Sequence, residues 1–224
     1  MSHAAFFEEI LNDRGYESKH TNLELMERRW RRGEYIIRSG EPLAELHFLR
    51  EGRARVFRPL YNGKQFLHRI YWAGSVIGDI EFFTKMDAVC SVQCLTESRT
   101  ISLRMEKLRR IPERYTELIY GIGGTLARKL EQSSISEASK SGYELDARLA
   151  AYYLTHQDSE LQAGSLQELA DWLGSSYRHL IRLHTRFIEE GALRRERHQY
   201  RIGDKALLEA YAGDALFDTA GINN

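Results

Sequence analysis

The hydrophobic pattern of this chain changes period once, near residue 110, and that change limits what the chain can fold into. From Met26 to about Leu103, short runs such as Tyr35-Ile36-Ile37, Leu46-His47-Phe48-Leu49, Ala54-Arg55-Val56-Phe57 and Phe66-Leu67-His68-Arg69-Ile70-Tyr71 are separated by glycines at 33, 40, 52, 63, 74 and 78. Short strands at ~8–12-residue spacing with turn signals point to a sandwich or small barrel. Asn62-Gly63 between two such runs is a strong hairpin signal. Beyond this region the period becomes helical. Pro112 suits the first turn of a helix, and Tyr115, Leu118, Ile119, Ile122, Leu126 and Leu130 follow at spacings of three and four. They form one apolar stripe on a long helix. So narrow a stripe can pair with a partner helix or pack on the β domain alone. Gly121, Gly123 and Gly124 inside it either permit close approach of a partner helix or mark a loosened turn.

Smaller signals frame these two blocks. Phe6, Phe7, Ile10 and Leu11 predict a short amphipathic helix over residues 2–14. Ser133, Ser134, Ser136, Ser139, Ser141 and Gly142 form a polar, small-residue stretch that reads as a hinge. A second helix is expected after it, with Leu145, Leu149, Tyr152 and Tyr153 on its buried side. The last dozen residues read as a frayed tail. The expected division is a sensor domain over 1–110, a dimerisation helix over 111–137, and a hinge with a DNA-binding domain over 138–224.

Composition excludes several classes of protein. Lys+Arg and Asp+Glu are both 32, so the chain is not a wholly basic nucleic-acid coat protein. That balance still permits a local basic patch. No segment approaches the ~20 apolar residues of a membrane span, and the N-terminus lacks a signal-peptide pattern, so the expected location is the cytoplasm, away from membranes. The cysteines, Cys90 and Cys94, would lie ~13 Å apart on one strand, too far to bridge. No Cys/His set at metal spacing accompanies them. They read as small buried hydrophobes, and no metal or cofactor is expected. No P-loop, G-x-S-x-G, zinc motif or dinucleotide fingerprint is present, so the chain does not read as an enzyme. Asp79 and Glu81, taken as alternate positions of a strand, are more often a turn-edge pair than an acid–base pair.

The functional signal is densest between Ser165 and Leu183. Ser165 can cap a helix over 166–173, with Glu168 completing a capping box. Gly174 makes a tight turn, and Ser175 or Ser176 caps a second helix running to about Glu189. Ala170 is small where the helices touch, and Leu169, Leu173, Leu180 and Leu183 fill the interior. This is the pattern of a helix-turn-helix. Leu193-Arg194-Arg195 and Tyr200-Arg201-Ile202 then form the arms of a hairpin with 196–199 at its tip, which is a wing. From Ser175 to Ile202 seven arginines face three glutamates, a net charge of +4 in a neutral chain. Arginine suits bidentate contact with guanine and phosphate. Arg178, Arg182 and Arg186 recur every four residues, and Tyr177 and Arg178 lie near the N-terminus of the helix that enters the major groove in this motif. Arg178 and Arg182 are therefore expected to read base edges, with Tyr177 on base or backbone. Ser165, Gln167 and Ser176 are expected to donate to phosphates, and Arg186 and Arg195 to supply salt-sensitive affinity.

With both halves in view, residues 20–203 resemble the CRP/FNR family of bacterial regulators. The residues that carry the likeness are Arg32-Gly33-Glu34-Tyr35-Ile36-Ile37-Arg38-Ser39-Gly40-Glu41, Leu46-His47-Phe48-Leu49-Arg50-Glu51-Gly52 and Gly74-Ser75-Val76-Ile77-Gly78-Asp79. Val92-Gln93 and Ser176-Tyr177-Arg178-His179-Leu180 are similar to the YeiL branch. The resemblance implies an α+β fold: an N-terminal double-stranded β-helix (a cyclic-nucleotide-binding-like β-roll), a long dimerisation helix, and a C-terminal winged helix-turn-helix. It implies a homodimer on double-stranded DNA, with two reading helices one DNA turn apart, about 34 Å. RNA polymerase and a small-molecule effector are further candidate partners.

The chain departs from the family in its sensor half. Members that bind cyclic AMP carry Gly-Glu and, about ten residues later, Arg-Ser around the cyclic phosphate. Here Gly78-Asp79 has the shorter acid, and Ala88-Val89-Cys90-Ser91 has no arginine. A buried phosphate needs a charge partner, so cyclic AMP is not the expected effector. The pocket candidates are Gly78, Asp79, Glu81, Cys90 and Ser91. The N-terminal cysteine cluster of oxygen-sensing members is absent. Haem-binding members use a histidine ligand, for which His47 and His68 are the strand-borne candidates. The competing reading is a cyclic-nucleotide-type binding module that controls a partner protein without reading DNA.

Overall fold

The computed structural model describes residues 25–61, 65–110, 112–156, 165–196 and 199–216. The expected helix over 2–14, the Asn62-Gly63 turn and the end of the tail lie outside the described residues. The chain divides into two compact units, Met1–Arg128 and Lys129–Asn224.

The first unit is built from two four-stranded antiparallel sheets. One has the order β1 (Met26–Trp30), β8 (Ser98–Arg104), β3 (Glu45–Glu51), β6 (Val76–Ile77), and the other β2 (Tyr35–Ile37), β7 (Ser91–Cys94), β4 (Ala54–Pro59), β5 (Gln65–Tyr71). β4 and β5 pair antiparallel on either side of the expected turn. Register explains the two cores. Leu46 faces Leu103 and Phe48 faces Ile101 across β3 and β8, so these four share one face of their sheet. That face is covered by Met105 and Leu108 of α2 (Met105–Arg110), and by Tyr115, Leu118 and Ile122. The opposite face contributes Leu49 and Ile77 to a second core, with Ile36, Ile37, Val56, Val92 and Cys94. Burial of each such side chain stabilises the fold by about 1.5–3 kcal/mol.

Between β6 and β7 the chain forms a short helix, α1 (Asp79–Thr84). Asp79 and Glu81 therefore lie on a helix, which corrects the strand expected there. Gly78, in the left-handed region at φ 93°, turns the chain out of β6, and a Cβ here would come within 2.6 Å of Leu43. Carboxylates at Asp79 and Glu81 then suit the positive end of the new helix.

The long helix α3 runs from Thr116 to Gly142, 27 residues or about 40 Å. The serine-rich stretch read as a hinge is thus helical. Serine costs only tenths of a kcal/mol in a helix, and Ser134 satisfies its hydroxyl internally by donating to the Leu130 carbonyl. The helix breaks after Gly142 instead. Its apolar stripe is divided. Tyr115, just before α3, and Leu118 and Ile122 within it pack on the β domain, whereas Leu130 is 69% exposed and Tyr120 83% exposed. Gly123 lies beside its own unit's Phe83, whose ring edge would stand 3.7 Å from an added Cβ.

In the second unit, α4 (Leu145–Thr155), α5 (Leu166–Trp172), α6 (Tyr177–Glu189), the hairpin β9 (Leu193–Glu196) and β10 (Gln199–Ile202), and α7 (Lys205–Ala212) share one core. Leu149, Ala150, Ala170, Leu180, Phe187 and Leu208 have no exposed surface. α7 is not anticipated by the sequence reading; Asp204 caps it by accepting from Leu207 N–H at 3.1 Å.

Candidate nucleic-acid interface

Two capped helices and one left-handed glycine build the region expected to read DNA. The Ser165 hydroxyl oxygen accepts from Glu168 N–H at 3.2 Å, and the Glu168 carboxylate accepts from Ser165 N–H at 3.1 Å. The reciprocal box fixes where α5 starts, and because Ser165 Oγ acts there only as acceptor, its O–H remains able to donate. At the other end Gly174, at φ 67°, opens the turn, and Ser175 N–H returns to the Ala170 carbonyl at 2.8 Å. Arg148 of α4 also donates to the Leu173 carbonyl, placing a cation at the negative end of α5. Sequence reasoning missed this residue, because it sits beside the Leu145–Leu149 stripe with nothing local to mark it. Ser176 then caps α6, accepting from His179 N–H at 3.2 Å.

Helical period sorts the side chains of α6. Leu180, Leu183, His184 and Phe187 point inward. Tyr177, Arg178, His179 and Arg182 are exposed. Arg178 and Arg182 make no ion pair or hydrogen bond with any described residue. Arg186 differs from them. It pairs with Asp146 of α4 at 3.0 Å and lies 5.5 Å from the centre of the Tyr211 ring, so part of its charge is used within the unit. Gln167 is exposed and donates to Asp171 at 2.8 Å.

The hairpin pairs Leu193 with Ile202, Arg194 with Arg201, and Arg195 with Tyr200. Glu196 holds Arg194 at 3.1 Å and Arg201 at 3.9 Å. Arg195 is exposed and has no partner among the described residues. Three arginines of the expected set, Arg178, Arg182 and Arg195, are therefore exposed and make no ion pair with a described residue.

The expected effector residues are placed differently. Asp79 is buried, and its carboxylate accepts from Ile80 N–H at 3.1 Å. Ser91 is buried, and its hydroxyl oxygen accepts from Ser39 N–H at 3.0 Å. Burial, then the Glu81 charge, pushes the Cys90 thiol up, and Arg58 opposes them. Arg58 arrives from β4, so nothing in the local window around Cys90 announces it. Both cysteines are free thiols. Of the two histidine candidates, His47 is buried beneath Trp30, and burial pulls it down to about 4. Among the described residues no group of three metal-binding side chains forms, and no helix is long and apolar enough to cross a membrane.

Residues 27–115 match the family described as Cyclic nucleotide-binding domain. A CRP-family transcriptional regulator from Thermus thermophilus superposes with a TM-score of 0.68 at 26% identity, covering 84% of this chain and 98% of that one. A second regulator of that organism, described as CRP/FNR family, gives 0.68 at 18% identity over the same shares. Regulatory protein YeiL of Escherichia coli O157:H7 is 30% identical over 179 residues, 80% of this chain and 82% of that protein. A relative of that identity and coverage, with the fold likeness beside it, means that the chain belongs to the CRP/FNR family of transcriptional regulators.

Proposed function

We propose that this regulator binds double-stranded DNA as a homodimer, laying α6 in the major groove of a two-fold-symmetric promoter site. The observation that carries the reading is the set of three exposed arginines with no partner among the described residues, Arg178 and Arg182 on α6 and Arg195 on the wing, in a chain of zero net charge. Arg178 and Arg182 read base edges, Tyr177 touches base or backbone, and Arg195 takes phosphate. Ser165, Gln167 and Ser176 donate to phosphates at the helix N-termini. Arg186 contributes less, because Asp146 shares it.

The working division is residues 1–110 as sensor, 111–137 as dimerisation helix and 138–224 as reading domain. The exposed Tyr120 and Leu130 of α3 support pairing through that helix, since they leave apolar surface for a second copy. Any effector must bind the DNA-competent state better than the other, or it shifts nothing. With Val89-Cys90 where a phosphate-binding arginine would stand, cyclic AMP is not that effector. RNA polymerase is the downstream partner, and the protein works in the cytoplasm.

The test is selection of binding sites from fragmented genomic DNA at moderate salt, with and without cell extract, and with sedimentation of the selected complex. Enrichment of a two-fold-symmetric site carrying two protomers supports the reading. No enrichment under either condition sinks it and favours a sensor that acts on a partner protein.

A further inference from the structure

One buried ionisable group in the second unit touches no surface offered to DNA, yet its contacts join α6 to α4 and to the wing. His184 of α6 is 1% exposed. Its Nδ1 lies 2.9 Å from the Leu180 carbonyl, which can only accept, so Nδ1 carries the proton. Nε2 is therefore bare and accepts from the Tyr153 hydroxyl of α4 at 2.8 Å. The ring also lies against Tyr200 of β10, with centroids 4.4 Å apart. One imidazole thus ties the reading helix to α4 behind it and to the wing beside it.

We infer that His184 is a positioning residue whose neutral ring locks the reading helix to the wing, and that its protonation releases the lock, making DNA reading acid-sensitive. The inference rests on the DNA-reading function proposed above.

A second proton on the ring would sit on Nε2, facing the Tyr153 oxygen. The phenol would then have to turn its own hydrogen away. Among the described residues the groups facing the ring are the phenols of Tyr153 from α4 and Tyr200 from β10, and the Leu180 carbonyl of α6 itself. None carries a negative charge to welcome the cation. Burial accordingly holds the imidazole below its ordinary 6.5, with the Leu180 carbonyl opposing. A histidine depressed on folding contributes stability that is complete above 6.5 and is lost as pH falls below it.

The test compares full-length wild type with His184→Leu, which keeps an apolar ring-sized filler and removes the titration. Opening of the wing, read by amide hydrogen exchange corrected for intrinsic rate, is expected to rise in wild type between pH 7.5 and 5.5, by up to about tenfold. His184→Leu is expected to stay level. Affinity for the duplex enriched at pH 7.5 should fall on acidification in wild type relative to His184→Leu; effects of the exposed His179 are common to both proteins and cancel. Tyr153→Phe, which removes the hydroxyl bonded to Nε2 and retains the ring, should raise wing exchange already at pH 7.5, and it serves if His184→Leu does not fold. An equal rise in both proteins, or ring nitrogen NMR showing the proton on Nε2, overturns the inference. If no duplex is enriched at any pH, the DNA reading fails by itself, and exchange and NMR still decide the role of His184.

Discussion

Helices α6 and α1 both carry side chains that the sequence marks for function, but they use them in opposite ways. On α6 the marked groups, Tyr177, Arg178 and Arg182, stand outside the bonding of the fold, while Leu180, Leu183 and Phe187 anchor the helix from the other side. Around α1 the marked groups are used by the fold itself: Asp79 is buried against its own helix start, and Ser91 holds the backbone of Ser39. A surface that reads a long polyanion can divide anchoring from contact by helical period. A cavity cannot, because its lining is also its wall. Substitutions on α6 should therefore separate affinity from stability, and substitutions around α1 should not.

The sharpest way to break this comparison is to disturb each core alone. Phe48 and Phe187 are both fully buried, one in each unit. Truncation of either to alanine should cost about 3–5 kcal/mol. Denaturant unfolding followed by probes in each unit should show Phe48→Ala shifting the first and Phe187→Ala the second. A shift of both by either substitution would mean that the units are not energetically separate.

Acid should act on the two units through different histidines. His47, 4% exposed, is pulled from 6.5 to about 4 by burial, with Glu45 opposing. Because its folded value is depressed, the stability it contributes is complete above 6.5 and is lost as pH falls towards 4. The loss amounts to about 2–4 kcal/mol. His47→Gln, compared with wild type by unfolding at pH 7 and pH 4.5, should remove most of that dependence from the first unit alone.

Smaller effects sharpen the account of the reading surface. Ser165→Ala removes one half of the capping box and should cost about 1 kcal/mol in stability of the second unit, with a further loss of DNA affinity if the hydroxyl also donates to phosphate. Arg186→Ala removes a half-exposed pair with Asp146, worth at most about 1 kcal/mol. Its effect on DNA affinity should be the smallest among the α6 arginines. A loss as large as that of Arg178→Ala would show that Asp146 releases Arg186 on binding.

What was legible in the sequence follows the same division. The helix-turn-helix could be read because its signals are local: a serine and a glutamate three residues apart, a glycine at the turn, arginines every fourth residue. The β-roll could be read as a class from its glycines and short runs, but α1 could not, since six residues are too few to establish a period. Composition misled at Ser133–Gly142, where small polar residues continue a helix whose packing is set elsewhere. Arg58 beside Cys90, and Arg148 beneath the turn, are tertiary neighbours with no trace in local sequence. The cap at Asp204 and the apolar spacing of Leu207, Leu208 and Tyr211 did announce α7, so that helix was readable and was missed.

The central claim is that α6 reads bases through Arg178. The most direct test measures affinity of wild type and Arg178→Ala for the selected duplex and for the same duplex with its symmetric bases scrambled. The account predicts a loss of about 1–3 kcal/mol on the selected duplex, little change on the scrambled one, and so a collapse of the specificity ratio. An equal loss on both duplexes would place Arg178 on phosphate and contradict the claim.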